Sequence, residues 1–534
     1  MRDGMTFAAL LEQRLATAPD AVAFIADGEQ VTVAGFDALC RRATACLQAQ
    51  GVGRGDLVAV WLVNRIEWLA LLFALARLGA ALVTVNTRYR SEEVAHILRR
   101  SGARLLVTQA GFRRVDFLAI LAGIAPGEIP ALERIALLDG DAAAPAQVLG
   151  RPVTRLDLRA HAPAPGEDAS DPGAPAILFP TSGTTKGPKL VIHPQRTVVG
   201  HARNCAAAHG LDQPGAVLLA GLPLCGVFGL NSVLAAFAGG APVVLMEAFE
   251  GPAAAALFAR HGVTHMYGSD EMFRRMMDAA PGDQPFPTAR VFGFGAFTTS
   301  FADDARDAWS RGMPFLGMYG SSEVLALFAL QPRELPVEER VRGGGRPVAG
   351  AAVQLRIRDG ATGALAPAGA SGEIEIRAPS TFLGYLNDPE ATAAALLPDG
   401  FFRTGDVGHL RPDGTLVYEA RMGDAMRLGG FLVSPAEIED VLKRLPGVAD
   451  AQVVAAEIGG QPRAVAFVIP APGAAPEAAA LIARSAEGMG AFKVPARLWF
   501  VAEYPMTDGT NGLKVQRNRL RDMARERLAL EERA

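Results

Sequence analysis

Through roughly the first 400 of its 534 residues, the chain alternates short apolar runs with segments of helical period, and this rhythm limits the fold more than any other feature. Residues 57–63 read as a strand, the stretch to Leu78 as an apolar helix, 81–85 as a second strand and 91–101 as another helix. Strand-like runs over 176–179, 216–220, 242–246, 290–292 and 315–318 each adjoin a helical pattern. Repeated strand–helix units call for largely parallel sheets covered on both faces, with the chemistry on loops at strand ends. Around 353–358, 372–377 and 415–419 the pattern changes to short alternating strands, read as a small antiparallel, barrel-like subdomain. A fresh start near Asp424 reads as a small α+β domain. The stretches 161–175 and 470–476 are rich in Ala, Pro and Gly and are expected to be surface connections.

Composition narrows the function. There are 52 basic against 56 acidic side chains, a net charge of −4, and no long basic run, which leaves no electrostatic footprint for nucleic acid. The longest apolar segment, 68–85, carries Arg77 at its middle. An arginine at a bilayer centre costs about 2.5–3.5 kcal/mol, so no transmembrane segment is expected. Arg2, Asp3 and Glu12 surround only a short apolar stretch, so no secretory leader is expected either. Four cysteines without CxxC spacing argue against zinc and a disulfide scaffold and favour a cytoplasmic location.

One loop carries the strongest chemical signal. After the apolar run 176–179 the chain reads Thr181-Ser182-Gly183-Thr184-Thr185-Lys186-Gly187-Pro188-Lys189, with four hydroxyls, two glycines and two lysines in nine residues. Glycines let backbone N–H groups converge, hydroxyls add donors and lysines add charge, which together make a phosphate cradle. It is not a Walker loop, because Pro188 follows Gly187 and Leu190 follows Lys189.

This segment resembles the signature of the adenylate-forming superfamily, which includes acyl- and aryl-CoA ligases. It departs at Lys186 and Leu190, where that family usually has glycine. Other matches follow in order. Tyr319-Gly320-Ser321-Ser322-Glu323 resembles Y-G-x-T-E with a serine for the threonine, and Gly293-Phe294-Gly295-Ala296 resembles the loop beside adenine. Gly372-Glu373-Ile374, Gly384-Tyr385 and Thr404-Gly405-Asp406 then precede Arg421, Gly423 and Gly429-Gly430. Near the end, Pro505-Met506-Thr507 leads through a loop to Gly512-Leu513-Lys514, with Leu513 inserted before the lysine.

The resemblance implies an N-terminal domain over 1–422, a mobile C-terminal cap over 424–534 and a hinge near Gly423. It implies ATP, Mg²⁺ and coenzyme A, and a small-molecule carboxylic acid as substrate. Lys514 is the implied catalytic lysine and Glu323 the metal ligand. Thr181, Ser182, Gly183, Thr184, Thr185 and Lys189 would hold phosphates. Gly295, Ala296, Tyr319, Gly320, Ser321, Ser322, Asp406 and Arg421 would hold the rest of the nucleotide, with Asp406 accepting hydrogen bonds from the ribose diol. Gly429 and Gly430 would line the pantetheine tunnel. The segment Leu222-Pro223-Leu224-Cys225-Gly226-Val227-Phe228 resembles the acyl-pocket motif of such ligases, with Gly226 where histidine is usual. Gly226, Val227, Phe228 and Asn231 are its expected lining. Apolar surroundings favour a fatty or aromatic acid. The departures leave two alternatives, a ligase with a carrier-protein or amine acceptor or another oxyacid, and a nucleotide-binding regulator without catalysis. Oligomeric state is open.

Overall fold

The strand Leu57–Trp61 explains the layering, because Val58 and Val60 enter one core while Ala59 and Trp61 enter another. The sheet is apolar on both faces and needs helices on both. This computed structural model describes residues 5–138, 145–158, 168–181, 188–295, 301–360, 362–422, 426–428, 431–433, 435–459, 461–486, 489, 493–509 and 512–531. Among them a nine-stranded sheet is parallel through six strands, in the order Pro175–Pro180, Ala81–Thr84, Leu57–Trp61, Leu105–Thr108, Arg134–Leu138 and Arg151–Leu156. Leu190–Pro194 and then Gly384–Tyr385 extend it antiparallel beyond Pro175–Pro180.

A thirteen-stranded sheet has a parallel centre in the order Val22–Ala26, Val243–Leu245, Leu218–Ala220, His265–Ser269, Val291–Gly295 and Phe315–Ser321. The two sheets enclose the helices Val33–Ala49, Ile66–Arg77, Gln195–His209 and Val227–Gly239 in one shared core. Val227–Gly239 is buried through most of its length and ends at Gly240, whose φ of 91° gives the left-handed turn that releases the chain.

The antiparallel strands continue the large sheet. Gly344–Pro347 pairs with both Leu325–Leu330 and Leu416–Arg421, and the order runs on to Gln354–Arg358 as an open end where the sequence reading has a barrel-like subdomain. Local alternation fixes antiparallel pairing, whereas closure depends on pairing between distant strands. From Met426 onward the chain builds separate cores around the sheet Val448–Ile458, Gln461–Pro470 and Arg497–Phe500. The result is a large N-terminal α/β region with a small C-terminal domain. No helix among the described residues is long and apolar enough to cross a membrane, and all four cysteines are buried and unpaired.

Gly229 shows how closely the central layer packs: a Cβ there would lie 2.3 Å from the Pro223 carbonyl oxygen. Gly229→Ala should therefore lower the thermal or urea midpoint, by about 1–3 kcal/mol of overpacking. An unchanged midpoint would contradict this contact.

Candidate active site

Parallel strands bring the predicted residues to one edge. Phe315–Ser321 runs alongside Val291–Gly295, itself alongside His265–Ser269, so Tyr319, Gly320, Ser321 and Gly295 emerge at carboxyl ends. The chain then reverses sharply into Leu325–Leu330, and a Cβ on Gly320 would lie 2.8 Å from the Ala326 Cα. Leu325 and Leu327 both adopt φ of 64°. The left-handed region costs an ordinary residue roughly 1–2 kcal/mol, so this hairpin must be held from outside. His193 Nε2 donates to the Ser322 carbonyl at 2.7 Å and His201 Nε2 to the Ala326 carbonyl at 2.7 Å. The Phe382 N–H donates to the Glu323 carbonyl at 2.8 Å.

This hairpin is where the two sheets meet. Tyr385 belongs to the nine-stranded sheet, paired with Val191, and its hydroxyl donates to Glu323 Oε1 at 3.0 Å. Glu323 is 8% exposed, and its Oε2 makes no hydrogen bond to a described residue. Lys189 Nζ lies 4.7 Å from the Tyr385 ring centroid. Burial, and behind it Glu323, pushes the Tyr385 hydroxyl far up, so it remains a donor.

Asp406 sits directly across the strand pair from Arg421. Its Oδ1 accepts from Arg421 Nη1 at 2.5 Å and its Oδ2 from the Tyr319 hydroxyl at 2.6 Å. The Tyr319 ring is buried against Phe328 and Tyr418, and burial followed by the Asp406 charge raises its hydroxyl well above the ordinary phenol value. Arg421 is also within electrostatic reach of Glu323. The two carboxylates, two tyrosines and two cations thus form one neighbourhood.

Thr181 and Lys189 close the base of the predicted phosphate loop, with the Thr181 N–H donating to the Lys189 carbonyl at 2.8 Å and the Lys189 N–H to Thr181 Oγ1 at 3.2 Å. The loop joins the antiparallel strands Pro175–Pro180 and Leu190–Pro194, unlike a Walker loop, which opens a helix. Ser182, Gly183, Thr184, Thr185, Ala296, Gly423, Gly429 and Gly430 lie outside the described residues. Lys514 stands opposite Thr507 in a hairpin, and its side chain is likewise outside them.

That hairpin reaches the rim of a cavity of about 640 Å³, a size suited to a small-molecule ligand. Its lining includes Asn64, Arg88, Leu222, Cys225, Asp270 and Met506. Gly226, Val227, Phe228 and Asn231 lie at the start of the adjoining helix and are not among its lining residues. Asn64 shapes this wall from another strand end, since its side chain binds the Leu224 N–H at 2.7 Å and the carbonyls of Leu222 and Met246 at 2.9 and 3.0 Å.

Sequence reasoning missed Asn64, His193 and the contact of Tyr385 with Glu323. Gly384-Tyr385 is visible as a motif, but nothing local says that its hydroxyl faces Glu323. His193 carries no signal beyond being a polar residue in an apolar strand.

The AMP-binding enzyme family model matches residues 11–386, and the AMP-binding enzyme C-terminal domain model matches 437–509. A 3-[(3aS,4S,7aS)-7a-methyl-1,5-dioxo-octahydro-1H-inden-4-yl]propanoyl:CoA ligase from Mycobacterium tuberculosis is 31% identical, covering 98% of this chain and all of its own. The fatty acid–[acyl-carrier-protein] ligase ScoC of Streptomyces coeruleorubidus is also 31% identical, over 94% of this chain and 93% of its own. Among solved structures, o-succinylbenzoate CoA synthetase (MenE) from Bacillus subtilis is 25% identical. Its complex with the acyl-adenylate OSB-AMP has a TM-score of 0.79 over 96% of this chain and 97% of that one. Its complex with ATP and magnesium ion has a TM-score of 0.78 over 96% and 98%.

Burial holds four histidines neutral around the hairpin and the helix behind it. His193, His201 and His265 fall to about 4 and His209 to about 3. Their folded values lie below the ordinary 6.5, so below pH 6.5 the unfolded chain takes up protons that the folded one refuses. Stability from these groups is complete above pH 6.5 and declines as the pH falls toward 4. Urea midpoints should drop between pH 7 and pH 5, and constant midpoints would contradict buried neutral imidazoles.

Proposed function

The chain belongs to the AMP-binding enzyme family and is an enzyme of the AMP-forming acyl-CoA ligase type, and we propose that it activates a hydrophobic carboxylic acid, fatty or aromatic. The acid's carboxylate attacks the α-phosphate of ATP and pyrophosphate leaves. The thiolate of coenzyme A then attacks the acyl carbon and AMP leaves. The observation that carries this reading is the convergence of Glu323, Asp406, Tyr319, Arg421 and Lys189 at the edge where the two sheets meet.

Each residue has a part that follows from its environment. Asp406, fixed through both oxygens, is aimed to accept hydrogen bonds from a ribose diol, with Tyr319 and Arg421 as its positioning residues. Gly295, Ala296 and the backbone of Gly320, Ser321 and Ser322 border the base and phosphates. Thr181 to Thr185 and Lys189 hold the leaving pyrophosphate. No cluster of three or more metal-ligating side chains exists among the described residues, while Glu323 offers one carboxylate oxygen that no described residue engages. That donor set fits Mg²⁺, which is commonly held by one or two carboxylates together with substrate phosphates. When bound, the ion would neutralise phosphate charge.

Lys514 offsets the repulsion between the incoming carboxylate and the α-phosphate. It comes from a cap over 424–534 that turns on Gly423, where glycine tolerates wide backbone angles. Gly429 and Gly430 then border pantetheine, and the acyl group enters the cavity beside Cys225, next to the segment of Gly226, Val227, Phe228 and Asn231. A carrier-protein thiol is the second reading, supported by Gly226 in place of the usual histidine and by the resemblance to ScoC.

Acids of graded chain length and substituted benzoates, incubated with ATP and hydroxylamine, should give hydroxamates from the preferred acid. Formation of AMP that requires coenzyme A would support the thioester reading, and dependence on a carrier protein instead would favour the second. Lys514→Ala should slow hydroxamate formation by about 10²–10³-fold, as loss of a charge-stabilising group does. Glu323→Gln should be slowed comparably and need more magnesium. Parental rates in both variants would remove these assignments, and no hydroxamate from any acid would refute catalysis.

A further inference from the structure

Three arginines gather without a carboxylate partner at the edge of the thirteen-stranded sheet opposite Glu323. Arg290 precedes Val291–Gly295 and so lies at the amino end of a strand whose carboxyl end, Gly295, belongs to the candidate active site. Trp309 carries the other two, with the Arg340 guanidinium carbon 3.8 Å and that of Arg333 5.8 Å from its ring centroid. The indole is fixed by its own N–H, which donates to the Phe315 carbonyl at 2.7 Å.

The three guanidinium groups hold one another's backbone in series. Arg340 Nη1 donates to the Arg333 carbonyl at 2.9 Å, Arg333 Nη1 to the Arg290 carbonyl at 3.0 Å, and Arg290 Nη2 to the Pro214 carbonyl at 3.0 Å. Carbonyls engage a few N–H groups but neutralise no charge. None of the three forms a salt bridge to a described carboxylate, and the acids next to Arg333 and Arg340 in sequence are paired elsewhere. Glu334 pairs with Arg346 at 2.6 Å, and Glu339 pairs with Arg342 at 3.3 Å and with Arg411. Arg340 Nε is buried with no hydrogen-bond partner among the described residues. Arg333 is exposed, and Arg290 and Arg340 are half-buried.

The crowding is felt nearby. Arg290 and Arg333 add to the burial that depresses His265. Such a cluster, already fixed by stacking and carbonyl contacts, has little left to order when an anion arrives.

We propose that Arg333 and Arg340 on Trp309, with Arg290 held beside them through its carbonyl, form a binding site for a phosphoryl dianion, separate from the nucleotide site. A phosphate offers three oxygens to separate guanidinium forks and up to two negative charges, which suits three cations better than a single carboxylate does. Free phosphate and the phosphate monoester of a metabolite share this chemistry.

The test uses the full-length protein with adenosine present, so that the nucleoside pocket is occupied without adding a second phosphate monoester, at ionic strength held constant with chloride. Inorganic phosphate, glycerol phosphate and succinate are titrated against the thermal midpoint. Phosphate or the monoester should raise the midpoint saturably, while succinate does so weakly. A tighter effect of the monoester assigns the site to a metabolite, and equal effects assign it to free phosphate. Arg333→Gln and Arg340→Gln should each weaken the effect by about tenfold, read against each variant's own anion-free midpoint. No saturable shift, an equal shift in the variants, or succinate acting as strongly as phosphate would overturn the proposal.

Discussion

The hydrogen bond from His193 to the Ser322 carbonyl ties the two large sheets together at the point where the chain reverses after Tyr319. His193 lies on a strand of the nine-stranded sheet and Ser322 follows a strand of the other. The bond requires only that Nε2 carry a proton, and burial keeps the ring neutral while it donates. With His201 on the Ala326 carbonyl, it holds a turn containing two leucines in left-handed conformation. Strain of that kind persists only when surrounding contacts over-determine it. Here those contacts come from the opposite sheet and from the central helices, so the position of Glu323 depends on the whole N-terminal region packing correctly.

The polar groups beside that turn are organised before any ligand arrives. Asp406 has both oxygens committed, to Tyr319 and Arg421, and Glu323 has one oxygen committed, to Tyr385. The tyrosine hydroxyls sit so far above their ordinary values that they act only as donors toward the carboxylates across the accessible pH range. A site built this way has little to reorganise as charge builds up on a phosphate, which is the main route by which fixed dipoles and charges assist phosphoryl and acyl transfer. The arginine cluster on Trp309 lies at the other end of the same strands and is likewise held by contacts within the protein.

The strand starting positions near 57, 81, 176 and 315 are legible because an apolar run of four to seven residues beside a helical period has few other meanings, and those near 372 and 415 because short alternation marks a strand. The hydroxyl- and glycine-rich loop is legible for a similar reason, since few surface turns concentrate so many donors. What could not be read is equally specific. Continuity of the antiparallel strands with the parallel sheet runs through Gly344–Pro347, a segment with no strand-like alternation. The cavity opens beside Cys225, one residue before the segment expected to line it, because Asn64 pins Leu222 and Leu224 from a distant loop.

The sequence by itself determined the layered α/β class, the order of its motifs and the residue types that can meet a phosphate, because these depend on periodicity and on side-chain chemistry along the chain. Only the tertiary structure decided that Tyr385 would face Glu323, that Tyr319 and Arg421 would share Asp406, and that Arg333 and Arg340 would meet over one indole with Arg290 beside them. Those meetings join residues up to 87 positions apart. They are fixed by strand register and by the way the two sheets pack on the helices between them, which no local pattern encodes.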